Sequence, residues 1–145
     1  MKIILIAIVA VAVTQFIKTI WFYYNNKSTL NSYSFFWSTF WMGGFPSSHT
    51  AALASAMYAI WKYDGASQLF GFAAVVSLIL IYGLLEDKKR QTLFNEYFVQ
   101  SDDFSLRKIV TEGRLLSFNG HSFWEIFVGG FVGVVISIVI TTFVV

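Results

Sequence analysis

The 145-residue sequence contains no cysteine and carries few charges. The absence of cysteine excludes disulfide bonds and thiolate metal sites. Only 12% of the residues are charged, whereas an ordinary soluble domain has roughly 25%. The net charge of +2 is too small to indicate a nucleic-acid-binding protein, and no basic run is interleaved with aromatic residues that could stack on bases. No nucleic acid partner is therefore expected.

Hydrophobic residues, in contrast, make up 57% of the chain. The length suffices for one domain, and we predict a single membrane-embedded domain over residues 1–145. A soluble fold of this size could not bury so much apolar surface, so the surrounding solvent is expected to be lipid. The composition therefore predicts an integral membrane protein.

Four apolar segments are candidates to span, or nearly span, a bilayer, which requires about 20 apolar residues per helix. They are Ile3 to Tyr24, Pro46 to Trp61, Ser67 to Leu85 and Phe123 to Val145. The first is interpreted as a retained helix rather than a signal peptide, because its apolar run continues without a small-x-small cleavage site. We therefore predict an all-α membrane bundle with about four transmembrane helices.

Short interfacial or re-entrant helices are expected in two further places. An aromatic stretch from Tyr33 to Trp41 ends at a glycine pair just before the short second segment, where irregular backbone is tolerated if it lines a cavity. The long polar region from Glu86 to His121 contains two amphipathic patterns, predicted as separate helices on the membrane surface. The first pattern comprises Leu93, Phe94, Tyr97 and Phe98, and the second comprises Leu106, Ile109 and Val110.

A four-span topology brings the polar groups of the chain to one face. The end of the first segment, the start of the second and the long polar region then share one side of the membrane. Most lysines and arginines also fall on that side. The positive-inside rule therefore favours a site facing the cytoplasm, in the cytoplasmic membrane.

The most specific motif is Gly-Gly-Phe-Pro-Ser-Ser-His-Thr-Ala at residues 43–51. Pro46 suits the first turn of a helix. The free backbone N–H groups of that turn, with the hydroxyls of Ser47 and Ser48, form an anion site, and His49 can give or take a proton beside it. The alternative interpretation is an ordinary helix start with a capping serine and an interfacial histidine.

The second motif contains His121 and Glu125, which lie four residues apart and therefore share a helical face. A carboxylate that accepts a hydrogen bond from one imidazole nitrogen orients the ring and makes the other nitrogen more basic. Alternatively, Glu125 only caps the fourth helix and His121 is a loop residue. His49 and His121 are the two histidines of the chain, and both are predicted at helix starts on the same face.

Several cations are candidates for binding phosphate on that face. Lys18 lies inside the first span, where a charge is costly and often functional, although its side chain could instead extend to the headgroups. Lys89 and Arg90 follow the third segment, and arginine can bind two phosphate oxygens. Arg114 is a further candidate. The alternative for Lys89 and Arg90 is a positive flank that sets the topology.

Together these motifs resemble the divergent bacterial and plant branch of the type 2 phosphatidic acid phosphatase superfamily, which also includes the vanadium haloperoxidases. Three blocks carry the resemblance and cover nearly the whole chain. They are Gln15-x-x-Lys18, Gly43-Gly44-x-Pro46-Ser47-Ser48-His49-x-Ala51 and Gly120-His121-x-x-x-Glu125-x-x-x-Gly129-Gly130.

The resemblance implies a role for each matching residue. His121 resembles the nucleophile that attacks phosphorus, and Glu125 resembles the carboxylate that orients it. His49 resembles the general acid. Ser47 and Ser48 resemble the anion-binding turn, and Lys18 and Arg90 resemble the phosphate clamp. No metal and no cofactor are implied.

The leading hypothesis is a metal-independent phosphatase that cleaves a phosphomonoester or pyrophosphate on a membrane lipid. One alternative is a non-catalytic binder or transporter of lipid phosphates that keeps the anion site. Another is a small structural membrane subunit, in which Gly129 and Gly133 form a packing motif. Their spacing is compatible with a homodimer under all three hypotheses.

Overall fold

A computed structural model describes residues 1–25, 44–100 and 120–143 of the chain. These ranges form four α-helices and no strand: α1 Lys2–Asn25, α2 Ser48–Asp64, α3 Gln68–Val99 and α4 Phe123–Phe143. Helices α1, α3 and α4 are long and apolar enough to cross a membrane. The predicted all-α membrane bundle is confirmed, and the chain is an integral membrane protein.

Helix α2 is the shortest of the four described helices. Its 17 residues extend over about 25 Å at the usual rise per residue. This is less than the roughly 30 Å of a bilayer's hydrocarbon core. Helix α2 packs against the other three described helices, with buried residues from Thr50 to Ile60 and an exposed C-terminal end.

Helix α1 contributes one buried stripe to the bundle. Ile6, Ala10, Thr14 and Lys18 are spaced by four residues, so they line a single face, and all are buried. At the far end of this helix, the Lys2 ammonium lies 5.5 Å from the centre of the Tyr63 ring at the end of α2. Helices α1 and α2 are therefore antiparallel, and the end of α1 reaches the start of α2.

Helices α2 and α4 are parallel and pack closely. A Cβ added to Gly129 would overlap the Ser47 carbonyl oxygen, and one added to Gly133 would overlap the Ala51 carbonyl oxygen. One further turn along, the Ser137 hydroxyl donates a hydrogen bond to the carbonyl of Ser55, at 3.1 Å. The partners advance along both helices in the same direction, so the two helices begin on the same side of the membrane.

The spacing of Gly129 and Gly133 is thus used within the chain. Both glycines are buried against α2, so a second copy could not reach them while α2 and α4 are packed together. The sequence analysis found this spacing compatible with a homodimer, and that homodimer stays a prediction.

Helix α3 is longer than predicted. It was expected to end near Leu85, before a separate surface helix, but it continues without a break to Val99. Residues 86 and 88–91 are strong helix formers, and Lys89 donates a hydrogen bond to Glu86 one turn earlier, at 3.1 Å. Within α3 only Ser77 is buried, so its apolar side chains are left for the lipid. The predicted re-entrant stretch before residue 44 and the second surface helix lie outside the described residues.

Candidate functional site

The start of α2 is built by a serine cap. Ser47 has extended backbone angles, φ −74° and ψ 115°, and its hydroxyl oxygen accepts a hydrogen bond from the Thr50 N–H at 3.4 Å. The Thr50 hydroxyl donates in return to the Ser47 carbonyl at 3.1 Å. Pro46 therefore precedes the cap instead of occupying the first helical turn, which corrects the sequence prediction. His49 becomes the second residue of the helix and is exposed, whereas Ser47 is buried.

The start of α4 is built by a reciprocal cap. The Ser122 N–H donates to Oε2 of Glu125 at 2.8 Å, and the Glu125 N–H donates to the Ser122 hydroxyl at 3.4 Å. This is a capping box, in which each side chain satisfies a backbone group of the other residue. The capping interpretation of Glu125 is thus observed, and its role in orienting His121 stays a prediction. The Ser-x-x-Glu spacing before an apolar run was a signal for this box that the sequence analysis missed.

The two helix starts adjoin one another. The Ser47 N–H donates a hydrogen bond to the Glu125 carbonyl at 3.0 Å. The imidazole rings of His49 and His121 meet edge to face, with centroids 5.6 Å apart and an interplanar angle of 79°. His121 is only 2% exposed, so a ligand would approach from the exposed side of His49. Because both helices present their positive ends here, this position favours an anion.

Lys18 brings a buried cation to the same place from α1. Its side chain belongs to the buried stripe of the helix, and the residue is only 8% exposed. The side chain therefore lies inside the bundle and not on its outer surface. A Cβ added to Gly44 would lie 3.1 Å from Cε of Lys18, so the missing side chain leaves room for the lysine. The Lys18 charge interacts electrostatically with both Glu125 and His49.

Aromatic rings surround this end of the bundle. Trp21, one turn after Lys18, contacts the Phe45 ring with centroids 5.4 Å apart. Phe123 and Trp124, at the start of α4, are 62% and 68% exposed. Tryptophan rings favour the headgroup level of a membrane, so this end of the bundle is expected near that level.

The other predicted cations are placed differently. The Lys89 side chain is 72% exposed and is ion-paired with Glu86 on the surface of α3. Arg90 is also exposed, and Arg114 lies outside the described residues. The described structure thus brings together six of the predicted site residues. They are Lys18, Ser47, Ser48, His49, His121 and Glu125.

Sequence reasoning missed the residues that hold this cluster in place. Thr50 completes the cap of α2. Gly120 lies against the main chain of α3, and the Leu84 carbonyl of α3 accepts a hydrogen bond from the His121 N–H at 3.1 Å. Gly120 stood within a recognised motif, but only its contact partner reveals why a glycine is required there. The sequence held no signal for Leu84.

Taken together, the fold and these residues define an integral membrane helical protein with two histidines and a buried lysine at adjoining helix ends. The profile of the divergent PAP2 family matches residues 1–136, which include all three motif blocks. The chain therefore belongs to the divergent PAP2 family, and the resemblance found in the sequence is confirmed. Searches among curated proteins and among solved structures found no match.

Proposed function

We propose that the chain is a membrane-embedded lipid phosphatase that hydrolyses a phosphomonoester or pyrophosphate without a metal ion. The observation that carries the proposal is the pairing of His49 and His121, whose ring centroids are 5.6 Å apart at adjoining helix N-termini. At this separation one phosphate group can contact both imidazoles. Membership of a family related to phosphatases supports the same conclusion.

The reaction would proceed in two steps. A nitrogen of His121 attacks phosphorus and the bond from phosphorus to the ester oxygen breaks, while protonated His49 gives its proton to the leaving oxygen. Water then attacks the phosphohistidine, His49 takes a proton from that water, and inorganic phosphate leaves His121. Lys18 and the first-turn N–H groups of α2 would stabilise the charge on the phosphate oxygens.

The substrate class follows from the position of the site. The aromatic residues Trp21 and Trp124 near the histidine pair support a position at headgroup depth. A phosphate at this depth would belong to an amphiphile whose tail stays in the bilayer. Candidate substrates are phosphatidic acid, phosphatidylglycerol phosphate and a polyprenyl phosphate or pyrophosphate.

Trapping of the phosphohistidine with radiolabelled lipid phosphate tests the proposal directly. Purified protein in lipid nanodiscs should release phosphate and carry an acid-labile, alkali-stable label. His121→Ala should abolish the label. His49→Ala should slow phosphate release by roughly 10²–10⁴-fold, because a proton donor is lost. Thr141→Val, at the opposite end of α4, should behave like the unchanged protein.

Two outcomes would count against the proposal. A label that survives in His121→Ala would show that His121 is not the nucleophile. Lipid phosphate binding without any label or release would instead identify a non-catalytic binder or transporter, the alternative function.

The membrane orientation forms part of the same proposal: the site would face the cytoplasm, in the cytoplasmic membrane. Because the chain has no cysteine, single cysteines introduced at Lys89 and Lys62 report the two sides separately. With intact cells, an impermeant thiol reagent should label Lys62→Cys and leave Lys89→Cys unlabelled. The opposite pattern would place the site outside.

A further inference from the structure

Gly120 lies directly against the main chain of α3. A Cβ added to this glycine would overlap the backbone N and Cα of Lys88 and would lie 2.7 Å from the carbonyl carbon of Asp87. Since the opposing atoms belong to helical backbone, they cannot rotate away as a flexible side chain could. Gly71 and Gly83 of α3, in contrast, have nothing within 4 Å of an added Cβ.

A second contact fixes the next residue to the same helix. The His121 N–H donates a hydrogen bond to the Leu84 carbonyl oxygen at 3.1 Å. Leu84 and Lys88 are one turn apart and therefore lie on one face of α3. The main chain at residues 120–121 thus contacts that face of α3 at two successive residues.

We infer that Gly120 is a positioning residue, which seats the His121 main chain on α3 and thereby sets the place of the His121 imidazole relative to His49. The hydrogen bond between Ser47 and Glu125 holds the start of α4 to α2. The seat on α3 holds His121 from the other side. Only the effect on turnover rests on the proposed function, because the placement of the ring is a structural matter.

A methyl group at position 120 would push the segment away from α3, and His121 would move with it. Misplacement of a reacting group by about 1 Å lowers catalytic rates by roughly 100-fold. Substrate binding would change little, because Lys18 and the first turn of α2 lie on other elements. The inference therefore predicts a lower kcat with a nearly unchanged KM.

The first experiment measures the placement of residue 121 without relying on activity. In the cysteine-free chain, His49→Cys and His121→Cys are combined and linked with a short bifunctional thiol reagent. Adding Gly120→Ala should lower the cross-linking rate by clearly more than the scatter between replicate measurements, because residue 121 moves relative to residue 49. Adding Gly83→Ala, a control one residue before Leu84, should leave the rate unchanged. Equal rates in the Gly120→Ala and control backgrounds would overturn the inference.

The second experiment uses the unchanged protein and so does not depend on whether Gly120→Ala folds. Hydrogen exchange should show the His121 amide protected to the same degree as amides within α4. Exchange at the rate of an exposed amide would show that the hydrogen bond to the Leu84 carbonyl does not form, and would overturn the inference.

The third experiment tests whether the contact of Gly120 with α3 affects turnover. Gly120→Ala should lower kcat roughly 100-fold with KM within about threefold of the unchanged protein, while Gly83→Ala keeps both constants. A parallel loss of folded protein and activity, with the kcat of the folded fraction unchanged, would reduce Gly120 to a structural role. If the unchanged protein shows no turnover, the proposed function fails, and cross-linking and exchange still decide the positioning role.

Discussion

The backbone N–H of Ser47 donates a hydrogen bond to the carbonyl oxygen of Glu125, at 3.0 Å, and so joins the start of α2 to the start of α4. Helix starts carry N–H groups without partners in their own helix, and here one of them is satisfied by the neighbouring helix. The bond also sets the register between the two parallel helices, in which Gly133 faces Ala51. As a consequence, two positive helix ends lie side by side under the histidine pair.

The close approach at Gly129 is the first point at which this register can be tested. A Cβ there would overlap the Ser47 carbonyl oxygen and the Thr50 hydroxyl, both parts of the α2 cap. Gly129→Ala should therefore destabilise the fold by about 1–3 kcal/mol, the usual cost of overpacking. Reversible unfolding in detergent, followed by circular dichroism, measures this change.

Gly130 offers a matched control for that substitution. A Cβ at Gly130 would make only an ordinary contact, 3.9 Å from the Cβ of Ala54. Gly130→Ala should leave the free energy of unfolding unchanged or raise it slightly, because alanine favours a helix. Equal destabilisation by Gly129→Ala and Gly130→Ala would contradict the packing described for α2 and α4.

The hydrogen bond from Ser137 to the Ser55 carbonyl tests the deeper part of the same interface. Interhelical side-chain hydrogen bonds in membrane proteins contribute about 0.6 kcal/mol on average, and Ser137→Ala should cost about this much. Thr141 is the control, because its hydroxyl donates a hydrogen bond to the Ile138 carbonyl of its own helix. If Thr141→Val destabilises the protein as much as Ser137→Ala, the contact with Ser55 does not stabilise the bundle.

Substitution of Glu125 separates its observed capping role from its predicted orienting role. Glutamine can also complete a capping box, so Glu125→Gln should leave the unfolding free energy nearly unchanged. If the carboxylate orients His121, the same substitution should lower kcat at least about 100-fold. Ser122→Ala removes the other half of the box and should cost about 1 kcal/mol with little effect on kcat. A Glu125→Gln variant with full turnover would leave Glu125 as a cap alone.

Most of the fold could be predicted from the sequence, because the length of each apolar segment and the polar residues that separate the segments are local signals. All four described helices fall where the apolar segments were predicted. The errors lie at their ends. The start of α2 was predicted at Pro46, because proline is common in the first turn of a helix. In the structure Ser47 is the N-cap, and the helix begins at Ser48. The charged residues after Leu85 were interpreted as the end of α3, yet their helix propensity carries the helix onward to Val99.

The candidate site was predictable only in part, for a different reason. His49, His121, Glu125 and Lys18 were identified from residue type and motif spacing. The contacts that hold them are main-chain contacts between distant segments, such as Gly120 on Lys88. Every residue has a main-chain carbonyl, so the residue type does not indicate which carbonyl makes such a contact. The use of Gly129 and Gly133 within the chain was missed for the same reason.

Among the described residues, Lys18 is a buried cation whose charge interacts with both His49 and Glu125. Lys18→Met keeps a long, flexible side chain within the buried stripe of α1 and removes only the charge. Loss of a donor to the developing charge on phosphate should lower kcat/KM by roughly 10²–10³-fold.

Lys2→Met is the matched control for this substitution, because Lys2 is a cation of the same helix that contacts the Tyr63 ring at the opposite end of the bundle. It should leave kcat/KM unchanged, so that a loss confined to Lys18→Met reflects the position of the charge and not the net charge of the chain. Rates of phosphate release from a lipid phosphate in nanodiscs, at matched protein content, give the comparison. If Lys18→Met retains the kcat/KM of the unchanged protein, the buried ammonium does not act on the phosphate.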